Sequence, residues 1–406
     1  MIKTAVIMAA GEGKRMRPLT NTRPKVMVPV AGKPILEHVV RAGMEAGVER
    51  FIIIVNYMAD KIRSHFGDGA RLGTKISYVF QEKPLGTAHA LGTVKNLVAE
   101  EFLLMSGDSI FSSGDIARIA SAKGNAMALL EVPNPSDYGV VAMEGDEVAS
   151  IHEKSGQPPS NLANAGLYRF TPSIFESIER TEKSRRGEYE LTDSIMLMRE
   201  SGGKMRGIRV SGWLDLGRPW DILDANEKML SGMGSSIEGE VEAGATIKGA
   251  VCIGKGTLVM AGAYLEGPVV IGENCKIGPN CYIRPTTVIG DRCHIGNGCE
   301  VKNSVIMSDS NVPHQCYVGD SVIGERVNLG AGTKIGNLRL DGKEVNVTYN
   351  GEMVRTGRRK LGAIIGDNVK TSLNSAIAPG TIIGAGSFIG MNAKASGEIA
   401  PGSRIK

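Results

Sequence analysis

The sequence contains no stretch of about eighteen consecutive apolar residues, the length a membrane-crossing helix requires, so no such helix is expected in its 406 residues. A charged-then-apolar leader is also missing: Thr4 to Met8 is already a β-branched and apolar run that reads as a buried strand. Cysteine is absent from the first part of the chain, with all six cysteines at Cys252 or later. Without a secretory signal they read as reduced thiols, and the expected location is the cytoplasm. Excess charge of either sign is lacking, since 47 basic and 43 acidic side chains leave a formal net charge of +4. Neither nucleic acid nor a membrane surface is therefore expected as a partner, and basic residues have to be read locally. The length favours two domains. Trp213 and Trp220 fall before the cysteines begin, and we place the division at 1–230 and 231–406.

The richest local chemistry lies between Met8 and Pro34. Ala9, Ala10, Gly11 and Gly13 remove side chains where the first strand turns, which lets backbone N–H groups approach an anion. Lys14, Arg15, Arg17 and Lys25 surround the same point with positive charge. An arginine fork suits phosphate oxygens, and a lysine supplies a compact charge that can follow a departing pyrophosphate. Two commoner phosphate loops do not fit. Arg15 stands where a Walker loop needs Ser or Thr, and Met16 where the dinucleotide fingerprint needs a third glycine. The stretch reads as a grip for a nucleoside triphosphate undergoing nucleotidyl transfer.

Helix-spaced apolar residues from Pro34 to Gly47 and from Ala59 to Phe66 alternate with strand-like runs at Phe51–Val55, Ile76–Phe80 and Phe102–Asp108. This predicts an α/β domain on a parallel sheet with helices on both faces and function at the carboxyl ends of strands. After the third run, Gln81 offers an amide for a pyrimidine edge, with Gly86 and Thr87 opening a helix beside it. Asp108 ends an apolar strand next to the phosphate loop, and Asp215 occupies a similar place in GWLDLG. Together they form a candidate Mg²⁺ pair, since nucleotidyl transfer needs the α-phosphate charge neutralised. Asp137–Val140, Ile151–Lys154 and Asn164–Tyr168 offer groups suited to a sugar phosphate, and Thr192 or Asp193 reads as a helix cap.

From residue 241 the character changes. Val241, Ile247, Ile253, Val259, Leu265, Ile271, Ile277, Ile283, Ile289, Ile295 and Val301 recur at intervals of six, the period of a hexapeptide β-helix. Cys275 should stack on Cys293 and Cys281 on Cys299 as small packing residues, since zinc-type spacing is absent. The phase slips after Val301, and residues 337–361 interrupt it with a polar segment that reads as a projecting loop. His314 lies shortly before that segment, with Tyr317, Asn328, Asn337 and Lys343 on adjoining coils and the loop. Such a group could deprotonate an amine and hold an oxyanion.

Over nearly its full length the chain resembles the bifunctional sugar-1-phosphate nucleotidylyltransferase and amino-sugar acetyltransferase family, especially its archaeal type. The resemblance rests on A-A-G-x-G through Arg15, then Pro24-Lys25 and Gly32-Lys33-Pro34, followed by the six-residue repeats. It implies a Rossmann-like nucleotidyltransferase domain followed by a left-handed parallel β-helix, assembled as a homotrimer with acetyl-CoA between subunits. It further implies Arg15 and Lys25 on the triphosphate and pyrophosphate, Gln81, Gly86 and Thr87 on the base, and Asp108 with Asp215 on Mg²⁺. Gly139, Glu153 and Asn164 would take the sugar phosphate. His314 would be the acetyl-transfer base, with Arg284, Lys302, Tyr317, Asn328, Ala331, Asn337 and Lys343 around it. The implied activities are acetylation of glucosamine 1-phosphate, or galactosamine 1-phosphate, and coupling of the product to UTP or dTTP. Lys14, where relatives often carry threonine, and Pro84, where bacterial members carry a polar residue, leave the nucleotide open. A nucleotidyltransferase with a purely structural or regulatory β-helix, and a non-catalytic sugar-nucleotide sensor, are the competing readings.

Overall fold

The strand that begins at Thr4 is an inner strand of a nine-stranded sheet in a computed structural model that describes residues 2–154 and 156–406. The chain forms two compact units. The first runs to Glu12 and takes in Pro24–Met27 and Pro34–Asp215, and the second comprises Gly13–Arg23, Val28–Lys33 and Leu216–Lys406.

In the first unit Thr4–Ala9 pairs in parallel with Arg50–Val55 and Phe102–Ser106, and Arg50–Val55 pairs in parallel with Lys75–Phe80. Alternate side chains enter opposite cores, as a strand's two-residue period requires. Ala5, Ile7, Phe51 and Ile53 meet Leu36, Val39 and Val40 of the helix Ile35–Glu45 on one face. Val6, Ile52 and Ile54 join a core on the other face with Phe175 and Ile195 from the helices Ile174–Arg180 and Leu191–Glu200. Each large aliphatic buried in this way contributes roughly 1.5–3 kcal/mol.

The expectation of a parallel sheet holds for these four strands and for Met205–Arg209, which runs parallel to Asn125–Glu131, but not for the rest. Leu162–Phe170 runs antiparallel to both Phe102–Ser106 and Asn125–Glu131, and Gly139–Glu144 with Glu147–Glu153 closes the sheet as a hairpin. The chain there turns back through a short bend, with Gly145 at φ 64°, where a parallel neighbour would need a helical crossover.

In the second unit the aliphatics of the six-residue repeat line one continuous core, from Val251 to Ile399. Short parallel strands stack on three faces, as in the left-handed β-helix class. Partners along one face lie eighteen residues apart at first, as in Val251↔Val269 and Ile277↔Ile295. They lie seventeen apart where the phase slips, as in Ile295↔Val312 and Val301↔Val318. The slip is thus a coil one residue shorter, absorbed at a corner without loss of register. Corners place Asn274, Asn280, Asn303, Asp309, Asn368 and Asn392 in the left-handed region, which Asn and Asp tolerate better than other side chains. Five of the six cysteines, all but the half-exposed Cys252, are interior packing residues, and Cys275, Cys293 and Cys299 send their thiols to the carbonyls of Gly290, Met307 and Val312 at 3.0–3.2 Å.

Residues 337–361 are not simply a projecting loop. Asn346–Tyr349 and Glu352–Arg355 form a hairpin turning at Asn350-Gly351, both at positive φ, the chemistry of a tight hairpin turn. Val345, Val347, Tyr349 and Leu361 are buried, whereas Leu340 and Met353 are exposed. Arg358 reaches Asp224 and Glu227 of the helix Asp221–Leu230, and Gly351 N–H at the hairpin turn donates to Glu398, so the segment is docked at several points.

Candidate functional site

The pairing of two short strands builds the centre of the first unit. Trp213–Asp215 lies antiparallel to Ser109–Phe111 with Asp215 opposite Ser109, which brings Asp108 and Asp215 together despite their separation in sequence. Both face Lys25, whose Nζ donates to Asp108 Oδ2 at 2.5 Å and stands 4.0 Å from Asp215 Oδ1. Burial works to raise the Asp108 carboxyl, but the Lys25 charge, its hydrogen bond and the Ser106 hydroxyl outweigh it and hold the group below its usual range. Two carboxylates thus converge on one cation position, here taken by the Lys25 side chain. Hard oxygen donors so placed fit Mg²⁺, which takes one or two carboxylates and completes its shell with phosphate oxygens and water.

The glycines near this centre serve different ends. A Cβ on Gly11 would meet nothing within 4 Å, which leaves the backbone open to a ligand. Ala9 is buried beneath it and Ala10 is partly covered. Gly86, in contrast, sits at φ 115°, and a Cβ there would lie 2.4 Å from Tyr189 O. The close passage of the Tyr189 backbone by itself requires the lack of a side chain there. The Thr87 hydroxyl accepts from Leu191 N–H at 2.9 Å, and Gln81 is buried with its amide N–H directed at His89 Nδ1, 3.0 Å away. Thr192 and Asp193 lie inside the helix Leu191–Glu200, whose N-cap is Glu190, so neither caps it.

Gly139, Glu153 and Asn164 do meet. Gly139 pairs with Glu153 in the hairpin, Ala163 pairs with Val140, and a Cβ on Gly139 would lie 2.8 Å from Glu153 Oε1. Asn164 donates to the Tyr168 hydroxyl at 2.7 Å and accepts from Gly166 N–H at 3.2 Å. Burial raises the Glu153 carboxyl, with Arg186 opposing and Glu190 and Asp193 adding to the rise. Tyr138, next to Gly139, packs edge-on against Trp213 at 5.6 Å, so the three residues adjoin the strand that delivers Asp215. Gly13 and Arg15 belong to the second unit. Arg15 is exposed, in a single turn Lys14–Met16 that follows Gly13 in the left-handed region.

In the β-helix, three predicted residues, Lys302, Tyr317 and Asn337, gather around one that sequence reasoning missed. Asp320, buried at a corner with φ 47°, accepts from Lys302 Nζ at 3.1 Å, Asn303 Nδ2 at 2.9 Å and Asn337 Nδ2 at 2.5 Å. Tyr317 and Asn337 close over Gly319, where a Cβ would meet their polar ends at 2.7 and 2.6 Å. Arg284 on the same face is held by Glu300 at 2.8 Å, with its Nε buried and unpaired. Burial raises the Tyr317 phenol, which keeps it a donor. His314 ends the strand Asn311–His314, exposed and in register with Asn297, and Asn328 bridges to Asn311 on that ladder. Ala331 lies at the turn that follows Asn328, and Lys343 lies in the inserted segment, its N–H on Asp341 at 3.2 Å. The position of Asp320, directly after the glycine in YVGD, was the available signal.

The fold and the paired carboxylates define a nucleotidyltransferase: the family described as "Nucleotidyl transferase" matches residues 4–232, and the GMPPB C-terminal domain matches residues 265–356. A solved structure from Bacillus anthracis, described as a glucose-1-phosphate thymidylyltransferase, superposes with a TM-score of 0.51 at 28% identity, covering 55% of this chain and 94% of that one. The chain is 45% identical over 405 residues to a bifunctional protein GlmU from Methanococcus maripaludis, covering 99% of this chain and 96% of that protein. A bifunctional sugar-1-phosphate nucleotidylyltransferase/acetyltransferase from Sulfurisphaera tokodaii is 41% identical, over 94% of each chain. The chain belongs to this bifunctional GlmU family.

Proposed function

We propose that the protein acetylates glucosamine 1-phosphate with acetyl-CoA and then couples the N-acetylglucosamine 1-phosphate to UTP, releasing pyrophosphate. The observation that carries the second reaction is the convergence of Asp108 and Asp215 on the Lys25 ammonium, with Gly139, Glu153 and Asn164 meeting nearby in the same unit. In that step a phosphate oxygen of the sugar attacks the α-phosphorus of UTP as the bond to the β-phosphate oxygen breaks. Arg15 and Lys25 balance the charge of the triphosphate and of the departing pyrophosphate, while the backbone of Ala9–Gly13 lies along the phosphates. Gln81, Gly86 and Thr87 frame the base, with Gln81 Oε1 as the acceptor for a pyrimidine imide. Mg²⁺ on Asp108 and Asp215 supplies further charge neutralisation when bound.

For acetyl transfer, His314 takes the proton from the sugar amine as nitrogen attacks the thioester carbonyl, and the thiolate of coenzyme A leaves. Arg284 and Lys302 hold the sugar phosphate, and Tyr317, Asn328, Ala331, Asn337 and Lys343 surround the reacting groups. The same proposal leaves dTTP open as an alternative nucleotide. Residues 1–230 and 231–406 then carry the two reactions, and the β-helix assembles a cytoplasmic homotrimer.

The direct test is a panel of triphosphates and sugar phosphates, glucose 1-phosphate and galactosamine 1-phosphate included, with and without acetyl-CoA. Pyrophosphate release and thiol release are read separately. Pyrophosphate without thiol release on any amino sugar would leave a nucleotidyltransferase with a structural β-helix. Neither product would leave a sensor. Sedimentation at three chain masses checks the trimer.

A further inference from the structure

The phosphate-loop segment Gly13–Arg23 is fastened at both ends to residues of the β-helix and its inserted hairpin. At its end, Arg23 is almost completely buried and gives Nη2 to Asp367 Oδ2 at 2.5 Å and Nη1 to Glu325 Oε1 at 3.0 Å. Thr22 Oγ1 donates to the same Asp367 oxygen at 2.6 Å, while Asp367 Oδ1 accepts from Glu325 N–H at 2.8 Å. At its start, the Tyr349 hydroxyl donates to the Lys14 carbonyl at 3.0 Å. Tyr349 is in turn fixed by Trp220, edge-on at 6.2 Å, and by Arg218 over its ring at 5.2 Å. Within the segment, Thr20 Oγ1 closes the loop onto the Gly13 carbonyl at 2.9 Å.

Asp291 occupies the corresponding place after a glycine several coils earlier and accepts from the Glu273 N–H, the same coil-to-coil bond that Asp367 makes through Oδ1. Asp367 differs in spending its second oxygen on the loop. A buried guanidinium facing a buried carboxylate is costly to desolvate and contributes little net stability, but its fixed geometry defines a position, and here it defines where the chain leaves the loop. Lys25, two residues beyond Arg23, is the cation on Asp108.

We propose that Asp367 and Tyr349, residues of the β-helix and its inserted hairpin, are positioning residues for nucleotidyl transfer, acting through Arg23 and the Lys14 carbonyl on the loop that carries Arg15. This rests on the nucleotidyl-transfer reading above. Reactive groups displaced by about 1 Å lose up to two orders of magnitude in rate, so partial release of the loop has a measurable effect.

The test uses the full chain and first requires pyrophosphate release by the wild type, whose absence would defeat the activity assignment itself. With that in hand, Tyr349→Phe removes one hydroxyl with the ring retained and is expected to lower kcat for pyrophosphate release about tenfold. KM for the sugar phosphate and the rate of acetyl transfer should stay unchanged. Asp367→Asn should act in the same direction and more strongly. The pair Arg23→Met with Asp367→Asn should cost little more than Asp367→Asn alone, because the Arg23–Asp367 contact is already weakened in the single variant. Unchanged kcat in Tyr349→Phe and Asp367→Asn overturns the proposal. So does a loss that falls equally on acetyl transfer and follows a lowered Tm, which marks the contacts as purely structural.

Discussion

At the scale of single residues, two glycines of the proposed nucleotide site make opposite demands. Gly11 has open space at its Cβ position, whereas Gly86 is held at a φ of 115° with Tyr189 O in the way. Gly86 adopts a conformation reserved almost entirely for glycine. Gly11→Ala is therefore expected to leave stability within about 0.5 kcal/mol of wild type while raising KM for UTP about tenfold, as the methyl group enters the space a phosphate would use. Gly86→Ala should destabilise the fold by more than about 1–3 kcal/mol, whatever it does to nucleotide binding. Chemical denaturation beside steady-state kinetics separates the two cases. Equal loss of stability in both variants would refute the distinction.

At the scale of elements, the buried Glu37 joins two helices. It accepts from Arg41 on its own helix Ile35–Glu45 and pairs with His65, at 2.8 Å, on the helix Ala59–Phe66, with Arg71 at 3.5 Å. The His65 hydrogen bond, with help from Arg41 and against burial, pulls the Glu37 carboxyl from 4.5 down to about 2. A depressed acid stabilises the fold above the pKa of the unfolded chain, and that stability is lost as pH falls through the window from 4.5 to about 2. The size of the shift puts the contribution on the order of 3 kcal/mol. Glu37→Gln should be destabilised by up to that amount at neutral pH and converge with wild type as pH approaches 2. A gap between the two denaturation midpoints that does not narrow on acidification would exclude the linkage. The β-helix core makes a second test at this scale: Ile295→Ala, on a side chain with no exposed surface, should cost roughly 2–5 kcal/mol and Ile295→Val only about 0.5–1.5.

At the scale of the whole molecule, sequence was most informative where the physics is local and repeated. Ile253 to Val301 could be placed inside a β-helix because every sixth side chain meets the same interior, and a coil shortened by one residue at the phase slip leaves that environment intact. Asp108 and Asp215 could be singled out because each ends an apolar run at a glycine. What escaped the sequence depends on segments that meet only after folding. Tyr189 passing Gly86, Asp320 gathering Lys302 and Asn337, and Asp367 receiving Arg23 have no periodicity to announce them. The same distribution has a consequence for the two proposed reactions. Lys25, Asp108 and Asp215 belong to the first unit, while Asp320, Lys302 and His314 belong to the second, so the chemistry of each reaction should be removable by itself. Asp108→Asn is expected to cut pyrophosphate release by at least about a hundredfold, on the scale of losing one electrostatic group at a reacting centre, with acetyl transfer at the wild-type rate. His314→Ala should do the reverse, within the 10²–10⁴ range of a general base. Loss of both activities in either variant would mean that the two reactions share a catalytic residue, and full activity of Asp108→Asn would remove the metal assignment.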